Sequence, residues 1–403
     1  MGQATSPAMR RVVAARNGDL LVFAVNGFLL ATWMSRLPDI QSTMRLSPGQ
    51  LGLLLLAISA GAISGLPIAG RLIHRLGSVR VVRIGAGVSL AGLVFAAIGV
   101  SLGWSVPSVM AGLFLFGFGS GIWDVAQNLE GTIIEQALGR SIMPWFHASF
   151  SAGTVVGAVT ALVVIRLDAG VLAHVAISAL VGAVAVAWGT SRFLPATAPS
   201  IDPGEHPAAN GQRSAWTEPR TLLIGVMVLA AAFTEGTAND WMAVAFVDGH
   251  GVSTSMGVLA LTVFLVFMTA GRIVGTSVLD RYGRVPVLRA LFGCAVVGSL
   301  LVIFGSTPLA YVGAAVWGVG ASLGFPVGMS AAADDPGRAA MRLSVVATVG
   351  YAAFLAGPAL VGFIGDHVGV LRALTVVTLV SALALLVVPS ARPLSPASDE
   401  TPA

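Results

Sequence analysis

The sequence predicts an all-α integral membrane protein whose twelve transmembrane helices form two pseudo-symmetric six-helix bundles. Three observations support this fold: an apolar composition, a series of long apolar runs, and an internal repeat. Of the 403 residues, 56% are hydrophobic and only 10% are charged, whereas soluble domains carry about 25% charged residues. A soluble monomer of this composition would expose apolar patches much larger than water tolerates. We therefore exclude a large soluble enzyme.

The apolar runs are bounded by charged residues, proline and glycine, and each is long enough to cross a bilayer as a helix of about 20 residues. The first run follows a short basic segment. It is too long for a signal peptide and no small-residue cleavage site ends it, so we interpret it as an uncleaved span. The predicted spans are residues 17–37, 49–73, 79–101, 106–129, 144–166, 170–193, 220–246, 254–279, 285–304, 308–332, 342–365 and 369–389.

The interval between the sixth and seventh spans differs in composition from the rest of the chain. Residues 194–219 are rich in proline, alanine, serine and glycine with scattered charges, which is typical of a flexible linker. The predicted domains are an N-terminal six-helix bundle at 1–193, a cytoplasmic linker at 194–219, and a C-terminal six-helix bundle at 220–403 that ends in a short cytoplasmic tail.

The distribution of arginine predicts the orientation. All 22 basic residues are arginines. With the N-terminus inside, 17 of them fall in cytoplasmic segments, four fall outside, and Arg272 lies within a span, which satisfies the positive-inside rule. We expect a multi-pass protein of the plasma or inner membrane with both termini in the cytoplasm. The net charge is only +4 and no basic arm is present, so we expect no nucleic-acid partner.

The two halves of the chain repeat each other. Three pairs of short segments recur at nearly constant offsets, which indicates duplication of a six-helix unit. The pairs are Trp33-Met34 with Trp241-Met242, Arg75-Leu-Gly77 with Arg281-Tyr-Gly283, and Gly117-x-Gly119 with Gly318-x-Gly320, at offsets of 208, 206 and 201.

The segments after spans two and eight carry a recognisable loop motif. The first contains Gly70, Arg75 and Gly77, and the second contains Asp280, Arg281, Gly283 and Arg284. Together with the repeat and the linker, they resemble the Gly-x-x-x-Asp-Arg-x-Gly-Arg signature of the major facilitator superfamily over about residues 17–390. The first copy departs from it at His74 and Ser78, and the second at Thr276. The resemblance implies a transporter in which these loops take part in gating.

Four further segments resemble the MosC-like, rhizopine-transport-like branch of that superfamily. They are Ser35 to Ile40, Asp124 to Gly131, Pro144 to Gly153, and Glu235 to Trp241. This finer resemblance implies the fold and the mode of transport more than the cargo.

Ionisable groups inside the spans are candidates for proton coupling, because each costs at least about 2.5–3.5 kcal/mol near a helix centre. Glu235, near the midplane, is the first candidate, since burial penalises its charged form; the alternative is a structural acid paired with Arg272. Asp124 is its main rival. Glu130 either shares this role or is solvated near the inner end. His147 either relays protons, because imidazole titrates near neutral pH, or packs as a structural histidine.

Polar and aromatic residues in the same spans are the substrate-cavity candidates. They are Asn26, Trp33, Gln127, Asn128, Asn239, Asp240 and Trp241. The two tryptophans are either stacking platforms for a ring or interfacial anchors, and Asp240 alternatively caps part of a broken helix. Arg36 forms an outer gate with Asp39 or faces the outer water. Asp19 is expected at the interface, and Asp280 is expected to face the amino end of span five, near Arg140.

These observations predict a secondary active transporter of a small polar solute, such as a sugar, polyol or amino-sugar-like molecule, coupled to protons and working by alternating access. The alternative is a proton-driven exporter of drugs or a specialised metabolite. By the family resemblance such exporters carry Gly-Pro in span five, where this chain has Gly157-Ala158. No phosphate-binding loop, metal-ligand spacing or clustered nucleophile is visible. We expect no cofactor, no metal and no enzyme activity, and a monomer whose partners are the solute, protons and lipid.

Overall fold

A computed structural model describes residues 7–139, 142–194, 214–335 and 337–394. Within these ranges the secondary structure is helical and contains no strand. The helices are α1 (Pro7–Met34), α2 (Leu37–Met44), α3 (Pro48–Leu76), α4 (Ser78–Ser101), α5 (Val106–Leu138), α6 (Met143–Arg166), α7 (Val171–Thr190), α8 (Pro219–His250), α9 (Thr254–Tyr282), α10 (Arg284–Phe304), α11 (Thr307–Ala321), α12 (Gly324–Ala332), α13 (Ala339–Val368), α14 (Val370–Ala373) and α15 (Thr375–Val387), with short 3-10 turns at Ala215–Thr217 and Val388–Ala391.

Twelve helical segments of the described chain are long and apolar enough to cross a membrane. The predicted number of spans and the all-α fold are therefore confirmed. Spans one, ten and twelve each consist of two consecutive helices: α1 with α2, α11 with α12, and α14 with α15. Most of the predicted linker, residues 195–213, lies outside the described residues.

Several predicted boundaries were wrong. The first span begins at Pro7 instead of residue 17, because the arginines of its first turns do not interrupt the helix. The fourth runs to Leu138 instead of 129, where Gly139 with φ 63° ends it. Span ten was predicted as one helix but is interrupted at Ser322 and Leu323. Conversely, α8 is continuous through Asp240, so that residue does not cap a broken helix.

Consecutive spans alternate in direction and define two faces of the bundle. The ends of α7 and α15 and the starts of α1 and α8 lie on one face, which we call the linker face. The opposite face, which includes the end of α2 and the starts of α3 and α9, we call the far face. We call α1–α7 the N-half and α8–α15 the C-half.

Helices of the two halves meet mainly through α3 with α13 and through α6 with α9. Within each half, glycines allow the backbones to approach closely, as is common in membrane helix packing. A Cβ atom on Gly153 of α6 would overlap the backbone of Ala24 in α1, and one on Gly117 of α5 would overlap that of Ile58 in α3. These contacts fix the helices whose side chains line the interface between the halves.

Candidate functional site

A cavity of about 260 Å³ lies between the halves. Its polar lining comes mainly from the N-half, and the C-half contributes two aromatic rings whose centroids are 6.2 Å apart. We call it the central cavity. The side chains relevant to binding are Asn26 of α1, Ser59 of α3, Ser120 and Asp124 of α5, and Tyr351 and Phe354 of α13.

Asp124 is held by two amides of its own helix. Gln127 and Asn128 each donate from their side-chain nitrogen to Oδ1 of Asp124, over 3.0 and 3.2 Å. These residues lie three and four positions further on, so one helical face carries all three groups. Among the described residues no arginine forms an ion pair with Asp124. The central cavity therefore contains a carboxyl group that is oriented but has no cationic partner in the described chain.

Glu235 has a different environment. It lines a smaller cavity of about 30 Å³, together with Asn239 and Arg272, and Oε1 of Glu235 lies 2.7 Å from Nη2 of Arg272. From the sequence, Glu235 is either a free acid or a partner of Arg272, and in this conformation it is paired. The adjoining cavities share Leu30 and Phe150 in their walls.

Arg272 also contacts two other parts of the protein. Its Nε donates to the backbone oxygen of Ser322 over 3.1 Å, at the interruption between α11 and α12. Its Nη1 donates to Oγ of Ser151 in the N-half over 2.8 Å. One guanidinium therefore joins an acid of α8, the broken span and the opposite half.

The remaining proton-coupling candidates lie towards the linker face. Glu130 is 1% exposed, and its carboxylate accepts from the hydroxyl of Ser78 and from the backbone N–H of Leu194. It is therefore not solvated at the interface. Asp19 was expected at the interface but is fully buried, and neither of its carboxyl oxygens accepts a hydrogen bond from the described residues. His147 packs edge-on against Phe23, with ring centroids 5.5 Å apart.

Several cavity candidates do not reach a cavity wall in this conformation. Trp33, Trp241 and Gln127 are completely buried because neighbouring helices pack around them, so the tryptophan rings do not form open stacking platforms. Asn128 is directed to Asp124, and Asp240 is half-buried outside both cavity linings. Of the predicted set, Asn26 lines the central cavity and Asn239 lines the smaller one.

Arg36 does not bridge the halves. It is 3% exposed, and its guanidinium pairs with Asp39 over 2.7 Å and donates to Nδ1 of His174 and the backbone oxygen of Ala169. All these partners belong to the N-half. Arg36 therefore ties α2 to α7 and to the loop before it, and its role in an outer gate with Asp39 stays a prediction.

The two loop motifs have matching backbones. Gly77 and Gly283 have φ angles of 79° and 77°, values that favour glycine. Arg284 donates to Asp334 over 2.7 Å, and the guanidinium of Arg281 lies over the ring of Tyr282. A Cβ atom on Gly70 would meet no described atom of another segment within 4 Å. No hydrogen bond or ion pair of the Arg75 side chain is present among the described contacts.

Among the described residues, Asp280 makes no hydrogen bond or ion pair at the amino end of α6. Asp280 is exposed, and Glu135 of the N-half already accepts the backbone N–H groups of Ile142 and Met143, over 2.7 and 2.8 Å. A second carboxylate there would be repelled by the first. Arg140, expected to join this contact, lies outside the described residues.

The C-half carries a charged cluster at the linker face, at the ends of two spans. Glu218 pairs with Arg342 and Arg338 and accepts a hydrogen bond from Thr221. Burial alone would raise the pKa of Glu218, but these hydrogen bonds and positive charges outweigh it and hold that pKa below its ordinary value. The cluster links the start of α8 to α13.

Two hydrogen bonds at the far face join the halves, and sequence analysis missed both. Gln41 of α2 donates to Asp248 of α8 over 3.1 Å, and the backbone N–H of Gly49 donates to Asp366 of α13 over 2.9 Å. With the contact of Arg272 to Ser151, these hydrogen bonds join the halves at the far face and at mid-depth. The halves are therefore in contact at the far face in this conformation.

Comparison with known proteins identifies this architecture. The family model described as Major Facilitator Superfamily matches residues 20–334 and 241–403. The chain is 33% identical over 383 residues to an uncharacterized transporter, y4wD, of Sinorhizobium fredii, covering 94% of this chain and 99% of the relative. It is 28% identical over 394 residues to the membrane protein MosC of Rhizobium meliloti, covering 95% and 90%. The resemblance to the MosC-like branch is thereby confirmed.

Solved structures share the fold at low sequence identity. The nucleoside transporter NupG aligns with a TM-score of 0.70 at 16% identity, over 93% of this chain and 97% of that one. A D-xylose-proton symporter aligns with a TM-score of 0.69 at 15% identity, over 95% and 97%. Each alignment spans nearly the whole of both chains, so the similarity covers the complete twelve-helix arrangement.

Proposed function

The chain belongs to the major facilitator superfamily, a family of membrane transporters and not of enzymes, and from this premise we propose that it is a proton-coupled secondary transporter of a small polar solute. The solute class is a sugar, a polyol or an amino-sugar-like molecule. Transport proceeds by alternating access around the central cavity, with both termini in the cytoplasm.

The observation that carries this proposal is the composition of the central cavity. Its volume of about 260 Å³ suits a small molecule more than a large drug. Asn26, Ser120 and Asp124 offer hydrogen-bonding groups on one side, while Tyr351 and Phe354 offer flat apolar surfaces on the other. A ring with polar edges and apolar faces matches both walls, and an amino substituent would neutralise Asp124.

The arrangement of Glu235 and Arg272 supports proton coupling. Protonation of Glu235 removes its charge and releases Arg272 from one of its partners, while the contacts of Arg272 with Ser151 and Ser322 persist. Because Arg272 also contacts Ser151 of the other half, the charge of Glu235 acts directly beside the interface that must open during alternating access. The similar fold of a D-xylose-proton symporter is consistent with such coupling.

The decisive experiment combines binding with transport. Purified protein is screened by thermal shift against sugars, polyols, amino sugars, amino acids and drugs at pH 5.5 and 7.5, and the stabilising compounds are tested for uptake into proteoliposomes with an imposed pH gradient. We expect stabilisation by a polar ring compound and accumulation that collapses with a protonophore. Stabilisation only by apolar drugs would replace the proposal by a drug exporter.

The proposed topology has its own test in a Cys294→Ser background. Ser253→Cys places a thiol on the far face and Trp216→Cys places one on the linker face, and both native residues are exposed. A membrane-impermeant thiol reagent added to intact cells should label the first and not the second. The opposite pattern would reverse the orientation.

A further inference from the structure

The amino end of α3 has an unusual combination of caps. The first N–H groups of a helix lack partners within the helix. Here Ser47 and Gln50 form a reciprocal capping box, over 3.3 and 3.0 Å. The adjacent N–H of Gly49 donates to Oδ1 of Asp366 over 2.9 Å, and Asp366 belongs to α13 of the C-half. Part of this helix cap is therefore supplied across the interface between the halves.

The local packing is adapted to this carboxylate. A Cβ atom on Gly49 would overlap Oδ2 of Asp366, so glycine leaves the space that the carboxyl group occupies. On the same interface, Gly362 of α13 packs on the backbone of Pro48, and Gly52 of α3 packs on the backbone of Pro358. The carboxylate thus sits at the edge of a close helix contact, where the positive end of the helix dipole favours a negative charge.

The corresponding helix ends of the other repeat, those of α6 and α9, lack such a contact among the described residues. Asp168 follows the end of α6 as Asp366 lies near the end of α13, and it has a φ angle of 52°. Its side chain makes no hydrogen bond or ion pair with the described residues, and the N-cap residue Ser253 of α9 accepts no capping hydrogen bond. At the far face, therefore, a charged helix cap joins α3 to α13, whereas the described residues show no such cap between the symmetry-related helices α9 and α6.

We propose that Asp366 is a positioning residue of the transport cycle, whose carboxylate caps α3 across the interface and biases the protein towards the conformation closed at the far face. The inference rests on the proposed alternating access. When the far face opens, α3 and α13 separate, and both the hydrogen bond and the interaction between charge and dipole are lost. Removing them shifts the population towards the opened conformation.

The test measures access to the central cavity and needs no cargo. Ser59 lines that cavity, so Ser59→Cys in a Cys294→Ser background reports whether a membrane-impermeant thiol reagent enters from the far face. The reagent is applied to intact cells or to inside-out vesicles, according to the measured topology. Asp366→Asn should increase the labelling rate from the far face about threefold, because an exposed charge at a helix terminus contributes modestly.

Matched variants distinguish the specific effect of the Asp366 carboxylate from a general loosening of helix packing. Asp168→Asn is the control and should leave the rate unchanged. Gly49→Ala keeps the charge of Asp366 but displaces its carboxylate, so it should raise the labelling rate as Asp366→Asn does. The double variant Gly49→Ala/Asp366→Asn should label little faster than either single variant. Asp366→Glu should restore part of the parental rate. An unchanged rate in Asp366→Asn, or an equal increase in Asp168→Asn, would overturn the proposal.

A wedge variant distinguishes failure of this inference from failure of the proposed function. Gly362→Leu forces bulk against Pro48 and should open the far face independently of Asp366. If the wedge increases labelling and Asp366→Asn does not, alternating access stands and the role of Asp366 is refuted. If no variant, including the wedge, admits the reagent from the far face, alternating access and this inference are both refuted.

Discussion

Arg272 and Glu235 form an ion pair, with 2.7 Å between Nη2 and Oε1 and with 21% and 17% of their side chains exposed. The pair lies beside the central cavity, while Asp124 lines that cavity without a cationic partner in the described chain. The two acids with the strongest claim to proton coupling therefore differ in charge compensation. This difference leads to distinct expectations for their neutral variants.

Glu235→Gln should abolish accumulation driven by a pH gradient while exchange of cargo across the membrane persists. Glutamine resembles the protonated acid and leaves Arg272 bonded to Ser151 and Ser322, so the cycle continues without its proton. Uptake and counterflow into proteoliposomes measure the two activities. If Glu235→Gln still accumulates cargo and Asp124→Asn does not, the coupling role belongs to Asp124.

Tyr351→Ala should weaken cargo binding about tenfold, and Tyr351→Phe should weaken it less, because the ring contributes stacking and burial of roughly 1–1.5 kcal/mol. Binding is followed by isothermal calorimetry with the compound identified in the thermal-shift screen. Tyr282→Ala is the control, since Tyr282 is 57% exposed and outside both cavities. Equal losses of affinity with Tyr351→Ala and Tyr282→Ala would show that Tyr351 does not contribute specifically to binding.

Glu135→Gln should lower the free energy of unfolding by about 1 kcal/mol, the usual contribution of a helix cap. Its carboxylate accepts two backbone N–H groups at the start of α6, and the amide retains an acceptor but loses the charge. Thermal unfolding in detergent measures the change. Asp280→Asn, at an exposed position, should leave the midpoint unchanged. A larger loss of stability with Asp280→Asn than with Glu135→Gln would indicate that Asp280 does contact the start of α6.

Glu218 should make stability depend on pH in the acidic range. Because its pKa is lower in the folded protein than in the unfolded chain, its contribution is complete above the unfolded value and disappears as pH falls through the folded value. Glu218→Gln should therefore lower stability by about 1 kcal/mol at pH 7, with a difference that shrinks as pH falls and disappears once Glu218 is protonated in both the folded and the unfolded state. A difference that persists at such acidic pH would show that the effect comes from packing instead of charge.

The fold could be predicted from the sequence because a span needs a long apolar run and little else. The interruptions within spans one and ten were missed although a proline follows each of them, Pro38 after the end of α1 and Pro326 after Ser322. Each proline lacks the N–H that would bond to the carbonyl four positions earlier in a continuous helix. Similarly, the apolar run gave no sign that α1 begins ten residues earlier, because arginines are tolerated at a helix end near the interface.

The site was only partly predictable for a related reason. Buried acids and amides are conspicuous in an apolar sequence, so Asp124 and Glu235 were found. Tyr351 was missed because an aromatic residue in a span has the same local pattern whether it faces lipid or a cavity. Asp366 was missed because its partner is a backbone N–H more than three hundred positions away, and nothing in the residue types of either segment indicates that pairing.

The interruption of span ten has a mechanical consequence. Pro326 lies four positions after Ser322 and has no N–H, so the carbonyl of Ser322 has no i+4 donor within the span. Arg272 donates to this carbonyl and replaces the missing helical hydrogen bond from another helix. If Arg272 moves away, the carbonyl loses this partner, and the angle between α11 and α12 is free to change. The span therefore contains a hinge that a proline creates and that an arginine of α9 stabilises.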